Sequence, residues 1–402
     1  MRTDLSLVIV GPYPPDPSII GNGVEAVVVN LVAGLRKVPT IRVAVVSTTD
    51  TVASETVVAR EDVVTYYLPS ARRLSNITLG AVTKARVRQK ITQLKPDVVH
   101  VHDHTNFPYI GFRRAPCPVV ATVHGLRFEE TKYETEPLDW LRRPPRRYLE
   151  RLVLRRSREV IAVSDYVQRA IGPLTRARIT VIDNPVAECY FSVWDRRIGR
   201  ARRAEVPSRA TVLFAGGITR RKNVLGLIQA IELLRRDVVG IELRIAGGVR
   251  DEQYYETLEH FVSEHSLQQE VRFLGQLSEP ALCEEYERCT VVASASHEET
   301  AGMIFQQAMA AGVPVVATRA GGIPSIVTDD QSGILIAPDD LRQLAEALRV
   351  TLGDPARRSR FADAGRRIAL ERFTATRAAA RTLEVYRGML APGRLPDADL
   401  PV

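Results

Sequence analysis

Glu298 and Glu299 sit just before a run of small residues that opens at Gly302 and stops at Gly312 and Pro314. Residues 313–317 then read as a buried strand, and Gly321-Gly322 as the next turn. The order is loop, helix start, helix, strand, glycine turn. It places a carboxylate beside the unpaired backbone N–H groups of a helix N-terminus, here those of Met303 and Ile304. An anion that also carries hydroxyls would fit such a site. Gln307 follows Glu299 by eight positions and stands about one turn in from Met303, on the same side of the helix. Carboxylate, N–H pair and amide then face one pocket. The plainer alternative is that Glu299 only caps the helix.

A second cluster is cationic. Gly216-Gly217-Ile218-Thr219 leads into Arg220, Arg221 and Lys222, between a strand and a helix. Positive charges at the positive end of a helix are unfavourable unless an anion joins them. A diphosphate is the natural candidate, and a solvated basic loop the alternative. Gly21-Asn22-Gly23 holds the equivalent place near the start of the chain, where glycine lets a backbone approach a phosphate or sugar closely. Its spacing departs from the dinucleotide fingerprint, because position 26 is alanine, and this argues against a dehydrogenase. His124 ends a strand before Gly125, at the edge where ligands bind, and a satisfied core histidine is the equal alternative. His100, His102 and His104 alternate with Val101 and Asp103, but no Cys or Glu cluster completes a zinc set, so no metal is expected.

The elements that must hold these residues follow an alternating pattern. Strands are expected at 5–10, 42–47, 97–101, 119–123, 160–163 and 179–182, with helices at 24–35, 76–94 and 140–156. After a charged stretch at 193–209 a second series begins. It has strands at 211–215, 242–246, 271–274, 290–293, 313–317 and 333–336, and helices at 224–234, 254–265, 281–287 and after Asp340. Short β-rich apolar runs separated by helices predict parallel sheets covered on both faces. The expected division is 1–192, a linker at 193–209, 210–372, a returning helix at 373–392 and a frayed tail at 393–402.

Bulk composition agrees. The chain has 402 residues, enough for two domains, with 45% hydrophobic and 25% charged residues. The net charge of +8 is mostly arginine, which suggests anionic partners, although a genome rich in G and C would leave the same bias. Eight arginines lie between 142 and 158 among leucines, a pattern suited to an anionic membrane surface or to a solvated face. No nucleic-acid module or aromatic stacking platform accompanies them, so nucleic acid is not an expected partner. Cys117, Cys189, Cys283 and Cys289 form no C-x-x-C pair, which argues against a zinc ribbon and a disulfide framework and makes the cytoplasm the default location. The first apolar run is too short for a signal peptide, and no run reaches membrane-spanning length.

Taken together, these segments resemble the retaining GT-B glycosyltransferases of family GT4. The segment from Glu299 looks like the family's E-x7-E motif, followed by A-M-A-x-G-x-P-V-V-A-T and a G-G-I-P turn. Further matches are Lys-Pro-Asp-Val-Val-His-Val-His at 95–102, V-x-T-V-H-G at 120–125, Ile-Ala-Val-Ser at 161–164, Thr-Val-Ile-Asp-Asn-Pro-Val at 180–186, Phe-Leu-Gly at 273–275 and Ser-Gly-Ile-Leu-Ile-Ala-Pro-Asp-Asp at 332–340. They run in the family's order over nearly the whole chain. The resemblance implies an α/β, GT-B fold of two Rossmann-like domains facing across a cleft, with Tyr386 in a last helix that crosses back to the first domain.

It also implies a reaction: transfer of a sugar from a nucleoside-diphosphate sugar to a hydroxyl, with retention and without a metal or other cofactor. By resemblance Glu299 contacts donor sugar hydroxyls, Gly302, Met303 and Ile304 hold the diphosphate with Lys222 and Arg221, and His124 lies beside the transferred sugar. Gly21, Asn22 and Gly23 would line the cleft, and Asp103 and His104 would face the acceptor. Two positions depart from the family. Gln307 stands where a ribose-binding glutamate is usual, and Gly217 where an arginine is usual, so that Arg220 or Arg221 would have to replace it in space. A nucleotide-sugar epimerase or a non-catalytic nucleotide-sugar-binding protein would share these features. A basic scaffold or RNA-binding protein is a third alternative, which would owe the net charge to its partners instead.

Overall fold

The computed structural model describes residues 5–17, 19–70, 81–102, 116–125, 148, 150–202 and 209–390, without the side chains of 81 and 200–202. The chain forms two compact units, one of residues 1–17, 23–185 and 375–402, the other of residues 18–22 and 186–374.

The first unit is built on an eight-stranded sheet in the order β3-β4-β2-β1-β5-β6-β7-β8. Its strands are β1 (Leu5–Val10), β2 (Ile41–Thr49), β3 (Thr56–Arg60), β4 (Val63–Pro69), β5 (Val98–Val101), β6 (Val119–Val123), β7 (Glu159–Ala162) and β8 (Arg178–Val181). All neighbours are parallel except β3 and β4, which pair as an antiparallel hairpin at the edge. That hairpin was not expected from the sequence. Its outer strand is largely exposed and carries no buried apolar signal.

Alternation along β1 shows how the sheet is covered. Leu5, Leu7 and Ile9 pack with helix α1 (Gly23–Leu35) and the last helix, while Val8 and Val10 face helix α2 (Ala81–Leu94) through Val87 and Ile91. Chain crossings lie side by side at the second unit's border, where Val186 N donates to Phe373 O at 2.8 Å. Beyond that point the last helix, Ala375–Met389, belongs to the first unit and lies against α1. The approach is close: a Cβ on Gly34 would stand 2.2 Å from the Ala375 carbonyl oxygen.

The second unit has a six-stranded parallel sheet, β11-β10-β9-β12-β13-β14. The strands are β9 (Thr211–Ala215), β10 (Glu242–Ala246), β11 (Val271–Gly275), β12 (Val291–Ser294), β13 (Val315–Thr318) and β14 (Gly333–Ile336). Between α2 and the second sheet come α3 (Asp165–Ile171) and α4 (Glu188–Arg202); α5 (Val224–Leu234), α6 (Glu252–Glu264), α7 (Glu279–Arg288), α8 (Met303–Ala310), α9 (Leu341–Gly353), α10 (Pro355–Arg372) and the last helix, α11, follow. β12 and β13 are buried along their whole length, as expected of Val-rich strands in a sheet covered on both faces.

One expectation is corrected. The described part of the proposed linker is helix: residues 193–202 continue α4. Tyr190, Phe191 and Val193 are buried, and α4 packs on α7 and α8. Arg197 donates to the carbonyls of Tyr286, Glu287 and Cys289 at 2.9, 2.9 and 2.8 Å, closing the C-terminus of α7. The charges that suggested a linker are the outer face of an amphipathic helix and one helix-capping arginine. The chain enters the second unit at Val186.

Candidate active site

In the second sheet the winding reverses at β9, which has β10 on one side and β12 on the other. Ligands of such sheets bind outside the carboxyl ends of strands at that reversal. The turn after β9 ends in a short helical turn, Arg220–Lys222, and Asn223 then takes a left-handed conformation and caps α5 by accepting from Gly226 N at 3.2 Å. The loop after β12 carries Glu298 and Glu299 to the start of α8. Adjacent strands thus deliver the two clusters singled out in the sequence to one place.

There Lys222 Nζ donates to Glu299 Oε2, and both side chains are largely buried, at 15% and 11% exposure. Burial pushes the Glu299 carboxyl up. The Lys222 and Arg221 charges and the hydrogen bonds from Lys222 and Gly302 outweigh it, so the group is held below the ordinary carboxylate range. Arg221 ties the loops together: it donates to Glu298 O at 2.9 Å, and its own carbonyl accepts from His297 N at 2.9 Å. Gly322 N donates to Glu299 O at 2.6 Å. Gly321, with φ of +53°, is required beneath it, since a Cβ there would stand 2.1 Å from that oxygen.

α8 begins at Gly302, which has φ of +53° and no side chain to cap the helix. The first bonds inside the helix run from Phe305 N and Gln306 N to Gly302 O, at 2.9 and 3.3 Å. The N–H groups of Met303 and Ile304 precede those bonds and form the electropositive end of the helix beside Glu299. Gln307 lies one turn in, and its Oε1 is paired with the Tyr286 hydroxyl at 3.0 Å. The same hydroxyl reaches Ile304 O at 3.1 Å. With its oxygen turned to Tyr286, Gln307 presents its NH2 group as a donor. Tyr286 was not singled out in the sequence, where its spacing from Leu282 and Cys283 reads as helix core.

Arg220 and Arg221, the two residues expected to stand in for an arginine at position 217, each have partners of their own. Arg220 pairs with Asp251 at 3.2 Å and lies over the Tyr254 ring, and Arg221 is engaged with Glu298. The cation beside Gly217 is Arg250, from the loop after β10. A Cβ on Gly217 would stand 3.1 Å from Arg250 Cγ and 3.9 Å from Nε. Arg250 also donates to Gly21 O at 2.9 Å, and Gln276 to Ile20 O at 3.1 Å, so residues 19–22 lie within the second unit. Gly23 opens α1 of the first unit.

His124 is buried at the carboxyl end of β6, with its Nε2 3.1 Å from His102 Nδ1. His100 Nδ1 meets the Tyr386 hydroxyl at 2.6 Å, and its Nε2 meets Thr122 Oγ1 at 2.7 Å. Asp103 and His104 lie outside the described residues, as do 142–147 and 149 of the arginine-rich segment. Residues 150–156 of that segment are helical, with Val153 and Leu154 buried and Arg151, Arg155 and Arg156 exposed. No helix among the described residues is long and apolar enough to cross a membrane.

Residues 21–188 match the family described as Glycosyltransferase Family 4, and residues 195–368 match Glycosyl transferases group 1. Glycogen synthase of Mycobacterium tuberculosis (strain ATCC 25618 / H37Rv) is 30% identical over 316 residues, covering 77% of this chain and 72% of the relative. The chain belongs to the group 1 glycosyltransferases. Among other relatives of this glycosyltransferase, D-inositol 3-phosphate glycosyltransferase of Paenarthrobacter aurescens (strain TC1) is 33% identical over 54% of each chain. The fold is GT-B. Sucrose-phosphate synthase from Thermosynechococcus elongatus superposes with a TM-score of 0.80 at 19% identity, over 96% of this chain and 98% of the other.

Proposed function

We propose that this glycosyltransferase moves a hexose from a nucleoside-diphosphate sugar to a hydroxyl acceptor with retention of anomeric configuration. The observation that carries the reading is the buried Lys222–Glu299 pair beside the glycine-capped start of α8. Loss of a nucleoside diphosphate leaves two or three negative charges where a sugar was bonded. Lys222, the N–H groups of Met303 and Ile304, and Arg250 over Gly217 supply positive potential at that place before the reaction begins, so stabilising the leaving group requires no reorganisation. Glu299 is held ionised and accepts from sugar hydroxyls. Gln307, its oxygen committed to Tyr286, donates to a ribose hydroxyl rather than accepting from it.

Retention is assigned to attack on the face the diphosphate leaves, through an oxocarbenium-like transition state. His124 is assigned to the transferred sugar by the family resemblance. With four positive groups for the diphosphate, no metal is assigned a step. The relatives named as glycogen synthase and D-inositol 3-phosphate glycosyltransferase support a hydroxyl of a sugar polymer or of a polyol phosphate as acceptor.

The test is release of nucleoside diphosphate across a panel of nucleotide sugars, with and without EDTA. Slow release without acceptor, unaffected by EDTA and abolished in Glu299→Ala, is the expected result. Interconversion of two nucleotide sugars would show an epimerase instead. Saturable binding without turnover, under every acceptor tried, would show a binding protein. The arginine-rich 142–158 segment is proposed to contact anionic membrane, and co-sedimentation with vesicles containing anionic lipid tests this.

A further inference from the structure

In the second unit α4 and α7 meet through two thiols. Cys283 Sγ donates to Cys189 Sγ at 2.8 Å, although the residues are 94 positions apart in the chain. All four cysteines are free, and these two are the pair in contact. A disulfide bond is about 2.05 Å long, so the sulfurs need to approach by only roughly 0.8 Å. The helices already hold them in register. Arg196 on α4 pairs with Glu287 on α7 at 2.6 Å. Tyr190, next to Cys189, meets Tyr286, one turn on from Cys283, edge to face with ring centroids 5.3 Å apart. The two thiols differ in access. Cys189 is partly exposed and lies in the first turn of α4, whose positive end favours an anionic sulfur. Cys283 is buried. Its bond to Cys189, and then burial, push its thiol well above the ordinary range; Glu279, one turn earlier on α7, adds to this and Arg196 opposes it.

We propose that Cys189 and Cys283 form a reversible oxidation site, with Cys189 the attacking sulfur and Cys283 the resolving one, and that their disulfide staples α4 to α7. The oxidant is hydrogen peroxide. The Cys189 sulfur attacks one peroxide oxygen: an S–O bond forms, the O–O bond breaks, and the second oxygen leaves as water with the Cys189 proton. The Cys283 sulfur then displaces the hydroxyl from Cys189. An S–S bond forms, the S–O bond breaks, and the hydroxyl leaves as water with the Cys283 proton. Two thiols lose two electrons, and the peroxide gains them. An external dithiol reverses the bond by exchange. Such a bond is a transient redox device rather than the permanent framework that the cysteine spacing argues against. α7 also carries Tyr286, whose hydroxyl holds Gln307 and the Ile304 carbonyl, so the staple restrains the helix behind the candidate donor site.

The test treats the folded, fully reduced, full-length protein with hydrogen peroxide and maps disulfides by mass spectrometry of unreduced peptides. The expected product is an intramolecular Cys189–Cys283 link that dithiothreitol reverses, with Cys117 and Cys289 still thiols. The loop it closes is long, so the melting temperature should rise by about 5–15 °C over the reduced protein. Cys283→Ser, treated alike, should stop at a Cys189 sulfenic acid that dimedone traps. Cys189→Ser should leave Cys283 unmodified. Both cysteines still free in the treated wild type would overturn the proposal. So would a link between chains, a link to Cys117 or Cys289, or a link that forms only in urea. An unchanged melting temperature on formation of the link would overturn the staple, and dimedone capture at Cys283 in place of Cys189 would overturn the order of attack.

Discussion

Replacing Lys222 by alanine tests the site on two independent scales. The first is catalysis: removing one preorganised donor from a developing anion typically costs about 10²–10³ in kcat, or roughly 3–4 kcal/mol. The second is stability, which needs no substrate. Lys222 and Glu299 are 15% and 11% exposed, so the variant leaves a largely buried carboxylate without its nearest cation. Breaking such a pair costs about 3–5 kcal/mol. The low end applies here, because Arg221 and the Gly302 N–H remain close to Glu299. Against a total stability of about 5–15 kcal/mol the variant still folds.

The loss should depend on pH with a definite sign. In the wild type the Glu299 carboxyl is held below its ordinary value of 4.5, so its contribution is present above that pH and lost as pH falls through the folded value. In Lys222→Ala burial dominates and the folded value rises, so the penalty is greatest at neutral pH and is relieved on acidification. The difference between wild type and variant should therefore shrink from pH 7 toward pH 4. Urea unfolding at both pH values and kcat on the active donor are the assays. Near-normal turnover would refute the role at the diphosphate, and a stability gap that does not change with pH would refute the buried-pair argument.

Three further outcomes follow from the same geometry. Arg250→Gln should weaken binding of nucleoside diphosphate by about tenfold while leaving nucleoside monophosphate binding nearly unchanged, as expected for one charge-assisted contact; equal losses for both would place Arg250 elsewhere. Tyr286→Phe removes the hydroxyl shared by Ile304 O and Gln307 Oε1, so donor KM should rise severalfold, with about 1 kcal/mol of stability lost. His100 is buried with its value lowered to about 3, so the unfolded chain takes up its proton first and stability should fall as pH drops from 6.5 toward 3. The slope from this one residue is about 1.4 kcal/mol per pH unit, and His100→Phe should remove it.

Much of the second unit was legible in the sequence, because its elements obey local rules. β9, β10, α5 and β14 fall at the expected residues, with Gly216 closing β9, Gly247 closing β10 and Asn223 opening α5. Glu299, Gly302 and Lys222 were legible as well, since a helix start and a glycine turn announce themselves in spacing. What escaped depends on contacts between distant segments. Arg250 belongs to the loop of the neighbouring strand, and no spacing rule places it over Gly217. Tyr286 reads as core until its hydroxyl is seen against Gln307. The β3–β4 hairpin escaped because an exposed edge strand carries little hydrophobic pattern, and α4 because charges on its outer face masked Tyr190, Phe191 and Val193.

Lys222 and Glu299 are proposed to form the heart of a donor site for a nucleoside-diphosphate sugar. The most direct test of this assignment is acceptor-free release of nucleoside diphosphate from a panel of nucleotide sugars, comparing wild type with Lys222→Ala and Glu299→Ala. At least one donor should be slowly cleaved by the wild type and by neither variant, with the released sugar first appearing in the donor's own anomeric configuration. Release at wild-type rate by either variant, or first appearance of the opposite anomer, would contradict it.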